Sequence, residues 1–326
     1  MHPIKKYILT HFPKVMNIYK NINDYRKYIL HKNGNNISGR VESVNICVDH
    51  IPWIASFINH NFPKQVKEPD IRLISVFGPR FLINCNKKTI FYSGENLHNT
   101  HYWDKYADAC LDYVDLSIGF DYLNHSKYCR IPYWIITHFP YDATEKTIAD
   151  KIKTLNEAKF PKTKDCALIA RDCINGLRTE IYNNLKDTLN IECPSRLFHN
   201  TNDLKTKFND NKLAYLQQFK FNICPENSND TGYVTEKIFD AFAAGCIPIY
   251  YGSDNNPEPN IINHKAVLFW NFKGDNSDTI KKIKLLSTNN DAYEEFISQN
   301  KLTSEANMYI QQLYKRLRDK LARICQ

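Results

Sequence analysis

An α/β chain of two Rossmann-like domains facing a cleft is the fold class this sequence predicts, and three observations predict it. Short apolar runs of strand length alternate with longer polar or helical stretches in both halves, the pattern of parallel strands joined by crossovers. A polar, Lys-rich segment from Tyr141 to Lys164 interrupts the alternation near mid-chain. The stretch Phe221–Ser253 reads as strand, loop, helix and strand without a break. With 326 residues each half is long enough for its own core. The expected division is 1–150 and 151–326, which suits a ligand bound between domains.

From Met1 to Leu30 charges recur every few residues, so neither a signal-peptide core nor a membrane span is present there. The expected location is cytoplasmic or peripheral to a membrane. Strands are expected over Val44–Val48, Arg72–Phe77, Thr89–Tyr92, Leu116–Phe120 and Ile131–Ile136. The segment Tyr141–Lys164 has a helical period but no strong apolar run, and is the best linker candidate. Beyond it come a strand at Ala167–Ala170, helices at Leu177–Leu189 and Leu213–Phe219, a strand at Phe221–Cys224, a helix at Glu236–Ala244 and a strand at Ile247–Tyr251.

The tail from Glu305 to Gln326 is one amphipathic helix by its spacing. Ile310, Leu313, Leu317, Leu321 and Ile324 form a stripe, with Lys315, Arg316, Arg318, Lys320 and Arg323 around it. Two readings follow: a helix packed on the body with a solvated basic face, or peripheral contact with an anionic membrane through residues 305–326.

Composition narrows the function classes. Hydrophobic residues at 43% and charged residues at 24% describe a globular chain. The 43 basic and 35 acidic residues leave +8, spread along the sequence without the concentrated stripe that nucleic-acid binding demands. None of the 10 Cys forms a C-x-x-C pair, and those in apolar runs, such as Cys47 and Cys224, read as buried free thiols. His98 and His101 sit three apart in "HNTHYW" with no third ligand at metal spacing, so that run reads as a loop. There is no strict Asp-x-Asp, no Ser nucleophile elbow and no Gly-rich phosphate loop.

The chemistry concentrates in "FNICPENSNDTGYVTEKIFDAFAAGCIPIYYGS". Pro225 stops the strand, the loop Glu226–Thr231 is polar, and Gly232 permits a turn. Thr235 is placed to cap the helix, Gly245 to end it as the residue after the C-cap, and Ile238, Ala241, Phe242 and Gly245 form its buried stripe. A helix that starts after a strand aims unpaired N–H groups and a partial positive charge at the carboxyl edge of the sheet, where a phosphate binds. Lys237 in the first turn runs against the helix dipole. Either an anion sits in front of it, or it is an exposed lysine paired with Asp240 or Glu236.

The run Tyr233-Val234-Thr235-Glu236-Lys237, with Glu226-Asn227 before it and Ala244-Gly245-Cys246-Ile247-Pro248-Ile249 after it, is similar to the donor-binding signature of the alpha-1,3/4-fucosyltransferases, glycosyltransferase family ten, especially the short bacterial members. Asn175-Gly176-Leu177-Arg178-Thr179-Glu180-Ile181-Tyr182 resembles the family's Arg-bearing helix start, and Phe91-Tyr92-Ser93-Gly94-Glu95-Asn96 its motif with the catalytic base. Val114–Tyr122 and Arg130-Ile131-Pro132 follow the family order, and the match covers most of residues 44–300. Pro225 stands where aromatics are common, and Asp230-Thr231 alters the loop. The first 40 residues and the acceptor-facing loops have no match.

The resemblance implies a GT-B type glycosyltransferase that binds GDP-fucose and a glycan acceptor, with no cofactor and no metal. By position, Lys237 would neutralise the diphosphate and Arg178 would be its second clamp, since a guanidinium meets phosphate oxygens in a bidentate fork. Arg171, nearer the strand end, is the local alternative. Glu236 and Tyr233 would hold ribose or fucose hydroxyls, and Asn227 the phosphates or the sugar. The donor is β-linked and the family's products are α-linked, so the implied reaction inverts, with an α-1,3 link to GlcNAc or Glc as the expected product. Glu95 would be the general base, with Asp104, Asp108 and Glu226 as alternatives. A family member resident in the Golgi carries an anchor, so this chain is expected to be a cytoplasmic form or one separated from that segment. The rival readings are a transferase of another GDP-sugar and a non-catalytic nucleotide-sugar-binding protein.

Overall fold

The computed structural model describes residues 36–44, 51–77, 87–99, 103–173 and 175–326. Packing divides the chain into two units. Among the described residues, the first holds 36–119, Leu123–Arg130 and Arg316–Gln326, and the second holds Phe120–Tyr122 and Ile131–Lys315.

The first unit is a 6-stranded sheet in the order β1-β2-β3-β4-β5-β6. Its strands are β1 (Asn36–Ser38), β2 (Val41–Val44), β3 (Ile71–Ser75), β4 (Lys88–Tyr92), β5 (Leu116–Gly119) and β6 (Tyr128–Arg130). β1 and β2 are antiparallel and every later pairing is parallel. Interior strands covered on both faces must be apolar throughout, and Ile90, Phe91 and Tyr92 are indeed all buried. Arg40, only 2% exposed, holds the edge of this unit together. Its guanidinium forks onto Asp70 at 2.9 and 2.7 Å and donates at 3.0 Å to the carbonyl of Cys325 near the chain's end.

Three expectations change here. The strand expected over Val44–Val48 is found at Val41–Val44, and residues 45–48 lie outside the described ones. The run Ile131–Ile136 is not a strand. The strand is Tyr128–Arg130, and a helix runs from Tyr133 to His138 behind Pro132, whose φ of −68° suits the N-cap position. A short apolar run carries no period that separates a buried strand from a buried helix, and Trp134, Ile135 and Ile136 are all buried. The third change concerns the expected linker. A helix occupies Glu145–Glu157, opened by a capping box between Thr144 and Thr147, and it buries Ile148 and Leu155. Residue 150 therefore falls inside a packed helix of the second unit.

The second unit is a 5-stranded parallel sheet in the order β11-β10-β9-β7-β8. Its strands are β7 (Lys164–Ala167), β8 (Ile191–Glu192), β9 (Phe219–Ile223), β10 (Ile247–Tyr250) and β11 (Leu268–Phe269). From β7 the chain winds outward to β8 on one side and to β9, β10 and β11 on the other. The order reverses between β7 and β9, and ligands of open α/β sheets bind at the carboxyl ends beside such a reversal.

The helix Glu236–Ala243 joins β9 to β10 and ends as expected at Gly245. Gly245 has φ +62° and donates to the carbonyl of Phe242 at 2.9 Å, while Cys246 donates to that of Ala241 at 2.8 Å. This is a Schellman closure. A Cβ on Gly245 would stand 2.8 Å from the carbonyl oxygen of Ala158. Gly245→Ala is therefore expected to cost about 1–2 kcal/mol from the left-handed backbone alone, with the contact adding to it, and to lower the Tm in a thermal melt.

The C-terminal helix runs from Ala306 to Ala322. Its stripe of Ile310, Leu313, Leu317 and Leu321 is 0% exposed and Ile324 is 8% exposed. The apolar side that would dip into lipid is thus inside the fold, which corrects the reading of peripheral membrane contact through that face. Arg318 and Lys320 from the basic side donate to Asn61 at 3.0 Å and to the carbonyls of His125 and Ser126 at 3.0 and 2.7 Å. Among the described residues, no helix is long and apolar enough to cross a membrane.

Candidate active site

The carboxyl edge of the second sheet gathers three loops. After β7, the chain enters the helix Leu177–Leu185 through Gly176, whose φ of +85° is open to glycine. Arg178 lies in the first turn. Its guanidinium donates at 2.7 Å to Asn227 Oδ1, at 3.4 Å to the Pro225 carbonyl and at 3.0 Å to the Asp172 carbonyl. It therefore ties the loop after β7 to the loop after β9 at the reversal of strand order. Glu180, also in the first turn, fixes this helix by accepting the indole N–H of Trp270 at 2.8 Å. Arg171 lies elsewhere: it is exposed, and its carbonyl accepts from Arg196 at 2.9 Å.

After β9, Glu226 is 1% exposed, and four donors surround its carboxylate. The Thr235 amide reaches Oε1 at 2.8 Å, the Thr235 hydroxyl Oε2 at 2.7 Å, Lys237 Nζ Oε2 at 3.0 Å, and the Tyr250 hydroxyl Oε1 at 3.3 Å. Gly252 makes room for it, since a Cβ there would lie 2.7 Å from Glu226 Cγ. The anion that the position of Lys237 calls for is thus present inside the protein. Neither pairing considered from spacing is the main one. Glu236 stands 3.9 Å from Lys237, and Asp240 is bonded instead to His138 at 3.1 Å and Lys212 at 2.7 Å.

Thr235 occupies the N-cap position without a capping bond from its side chain. Its hydroxyl is turned to Glu226 and also accepts from Lys237 at 2.8 Å. Glu226 supplies the negative charge at the helix start that a capping side chain would otherwise bring. Lys237 thus spends two of its three N–H donors on the protein and retains one.

Burial pulls the Lys237 ammonium down, but the carboxylates of Glu226 and Glu236 outweigh it and hold the group above its ordinary value, with the nearby Arg178 charge opposing them. A raised value in the folded state stabilises the fold below the unfolded lysine value, and that contribution disappears as pH climbs through the raised one. Alkaline melts are thus expected to show wild type losing stability relative to Glu226→Gln/Lys237→Met only above the ordinary value of 10.5.

Tyr233 is buried at 2% exposure, its ring edge-on to Phe120 with centroids 5.1 Å apart. Glu236 is partly exposed, at 26%. After β10, Ser253, Asp254 and Asn255 all have left-handed backbones, with φ of 50°, 53° and 54°. Such a run costs roughly 1–2 kcal/mol per residue, and it presents Asp254 to the donor-signature loop. Sequence reasoning weighed Glu226 only as an alternative base and missed Asp254 and Tyr250. A carboxylate between a strand end and a helix start was the available signal for Glu226; for Asp254 there was none.

Glu95 belongs to the first unit, on the turn after β4. Ser93 fixes its backbone by accepting the Glu95 amide at 3.1 Å and donating to the Glu95 carbonyl at 3.0 Å. Of the expected site residues, the structure links Arg178 with Asn227 directly and sets Lys237, Glu236 and Tyr233 along one continuous segment beside them. Among the described residues, no group of 3 or more His, Cys, Asp or Glu is placed to hold a metal ion.

The loops and helix starts of this edge fall within a stretch, residues 160–326, that matches the family model described as glycosyltransferase family 10 (fucosyltransferase) C-term. Residues 44–137 match the alpha-(1,3)-fucosyltransferase FucT N-terminal domain. The alpha-(1,3)-fucosyltransferase FucT of Helicobacter pylori is 32% identical over 250 residues, which is 67% of this chain and 48% of that protein. Human 4-galactosyl-N-acetylglucosaminide 3-alpha-L-fucosyltransferase 9 is 26% identical over 125 residues, 38% of this chain and 33% of the relative. The chain thus spans less than half the length of either relative. A crystal structure of an alpha1,3-fucosyltransferase shares the fold with a TM-score of 0.56 at 22% identity, covering 86% of this chain and 91% of that one. One with GDP-fucose aligns with a TM-score of 0.51 at 23% identity over 79% and 80% of the two chains. Two α/β units of GT-B type, a signature helix start and both halves of the family's pattern lead to one conclusion: the chain belongs to glycosyltransferase family 10.

Proposed function

We propose that the protein is an inverting fucosyltransferase that moves L-fucose from GDP-β-L-fucose to a hydroxyl of a glycan acceptor, forming an α-1,3 link to GlcNAc or Glc without a metal. The observation that carries this reading is the pair of cations at the reversal of strand order: Arg178 bonded to Asn227, and Lys237 at the helix start, close enough to sense each other's charge. Family membership and relatives named as fucosyltransferases support the choice of donor.

In this reading the C1–O bond to the diphosphate breaks and its electron pair leaves with GDP. Arg178, the remaining donor of Lys237 and the helix start stabilise the developing charge, a task for preorganised donors. Metal independence rests on the lack of a strict Asp-x-Asp in the sequence, which leaves these cations to meet the leaving group. The acceptor oxygen attacks C1 from the opposite face, and Glu95 takes its proton as general base. Asn227 contacts the phosphates or sugar, and Glu236 and Tyr233 the ribose or fucose end.

The test is incubation with GDP-fucose, and in parallel with GDP-mannose, against a panel of lactosamine-type and other β-galactoside acceptors, with and without EDTA, with linkage read by NMR. An α-1,3-fucosylated product formed equally with EDTA supports the proposal. Transfer from GDP-mannose alone, or no transfer, refutes it.

A further inference from the structure

We propose that Asp254 is a positioning residue for the donor: from a strained turn after β10, it holds the loop Glu226–Thr231 in its binding-competent shape. This rests on that loop meeting the donor, as proposed above. The Asp254 carboxylate takes two side chains of the loop's outer half, accepting from Asn229 Nδ2 at 2.7 Å and from Thr231 Oγ1 at 2.6 Å. Its own amide donates to Asn229 Oδ1 at 2.8 Å, and the neighbouring Ser253 hydroxyl accepts from the Gly232 amide at 2.9 Å. Four hydrogen bonds thus join two consecutive residues of one loop to the outer half of the other.

The turn that delivers them is built at a cost. Ser253, Asp254 and Asn255 are left-handed in succession, closed by Asn255 donating to Gly252 at 2.9 Å and Asn256 to Ser253 at 2.8 Å. Side-chain-bearing residues persist in that region only where the surroundings over-determine them. The inner half of the loop is fixed separately, through Glu226 to Lys237 and through Asn227 to Arg178. Gly232, at φ +82°, connects the outer half to Tyr233 and faces the Tyr122 ring so closely that a Cβ would stand 2.7 Å from it. The outer half therefore sets where Tyr233 and the helix start lie. Loosening it lowers the fraction of molecules ready to bind, and apparent affinity falls in proportion. Donor binding pulls the loop back, so turnover of the bound complex is spared.

Asp254→Ala is expected to raise KM for GDP-fucose about tenfold and to leave kcat within about threefold, as for a competent fraction near one tenth. Thr231→Val breaks the same clamp from the loop side and leaves the turn intact, so it should raise KM in the same sense. The double variant should be no worse than Asp254→Ala. Asp254→Asn tolerates the left-handed backbone and keeps an acceptor, so it should recover part of the loss. If KM is unchanged in both single variants, if kcat falls while KM stays, or if the two effects add in full, the proposal is overturned. Should Asp254→Ala fail to fold, Thr231→Val decides alone. If wild type does not turn over GDP-fucose, that outcome counts against the transferase reading. The clamp is then judged by hydrogen exchange over residues 228–233, which must quicken in Thr231→Val.

Discussion

Glu95→Gln is expected to bind GDP-fucose as the wild type does and to lose about 10²–10⁴-fold in turnover, the range for removing a general base. Gln keeps the shape of the side chain but cannot take a proton near neutral pH. The turn that carries residue 95 is held by the Ser93 hydroxyl through the backbone of that residue, which the substitution leaves alone. Donor binding, by titration calorimetry, should therefore be intact while the initial rate collapses. Retained turnover would move the base elsewhere. Glu226 is then a poor alternative, because it is buried and its oxygens are taken by Thr235, Lys237 and Tyr250. Asp108 is committed in part to the Cys110 amide at 3.0 Å, which leaves Asp104 to be tested next.

Arg178→Ala and Lys237→Ala should each lower kcat about a hundredfold, or about 3 kcal/mol of lost charge stabilisation. The two differ in what else they disturb. Removing Lys237 strands the buried Glu226 carboxylate, and breaking a buried pair costs about 3–5 kcal/mol of stability, so its Tm should fall as well. Pairing it with Glu226→Gln removes most of that penalty and isolates the effect on rate. Arg178 is bonded to Asn227 and two carbonyls and not to a carboxylate, so its loss should leave the melt nearly unchanged. A rate within threefold of wild type in either variant would refute its assignment to the diphosphate.

Much of this site was legible in the sequence because its parts are local. The strand stop at Pro225, the cap position of Thr235, the first-turn Lys237 and the Gly245 closure are each set by a few neighbouring residues. The partner of Lys237 was not legible by spacing, because Glu226 lies eleven positions back and meets it only once the loop folds over. Asp254 was still less so: it belongs to the next crossover, and none of its three successive left-handed residues is itself a glycine. Errors in the first half have a similar origin. Ile131–Ile136 is apolar in a helix or a strand alike, and only the docking of Trp134 and its neighbours decides between them. The helix Glu145–Glu157 hid behind its lysines, since two buried residues, Ile148 and Leu155, suffice to anchor it.

The most direct test compares GDP with guanosine. Calorimetric affinities of both should be measured on wild type and Arg178→Ala. If the guanidinium grips the diphosphate, GDP binding weakens at least tenfold while guanosine binding is unchanged. If both ligands weaken together, or neither does, Arg178 does not hold the diphosphate.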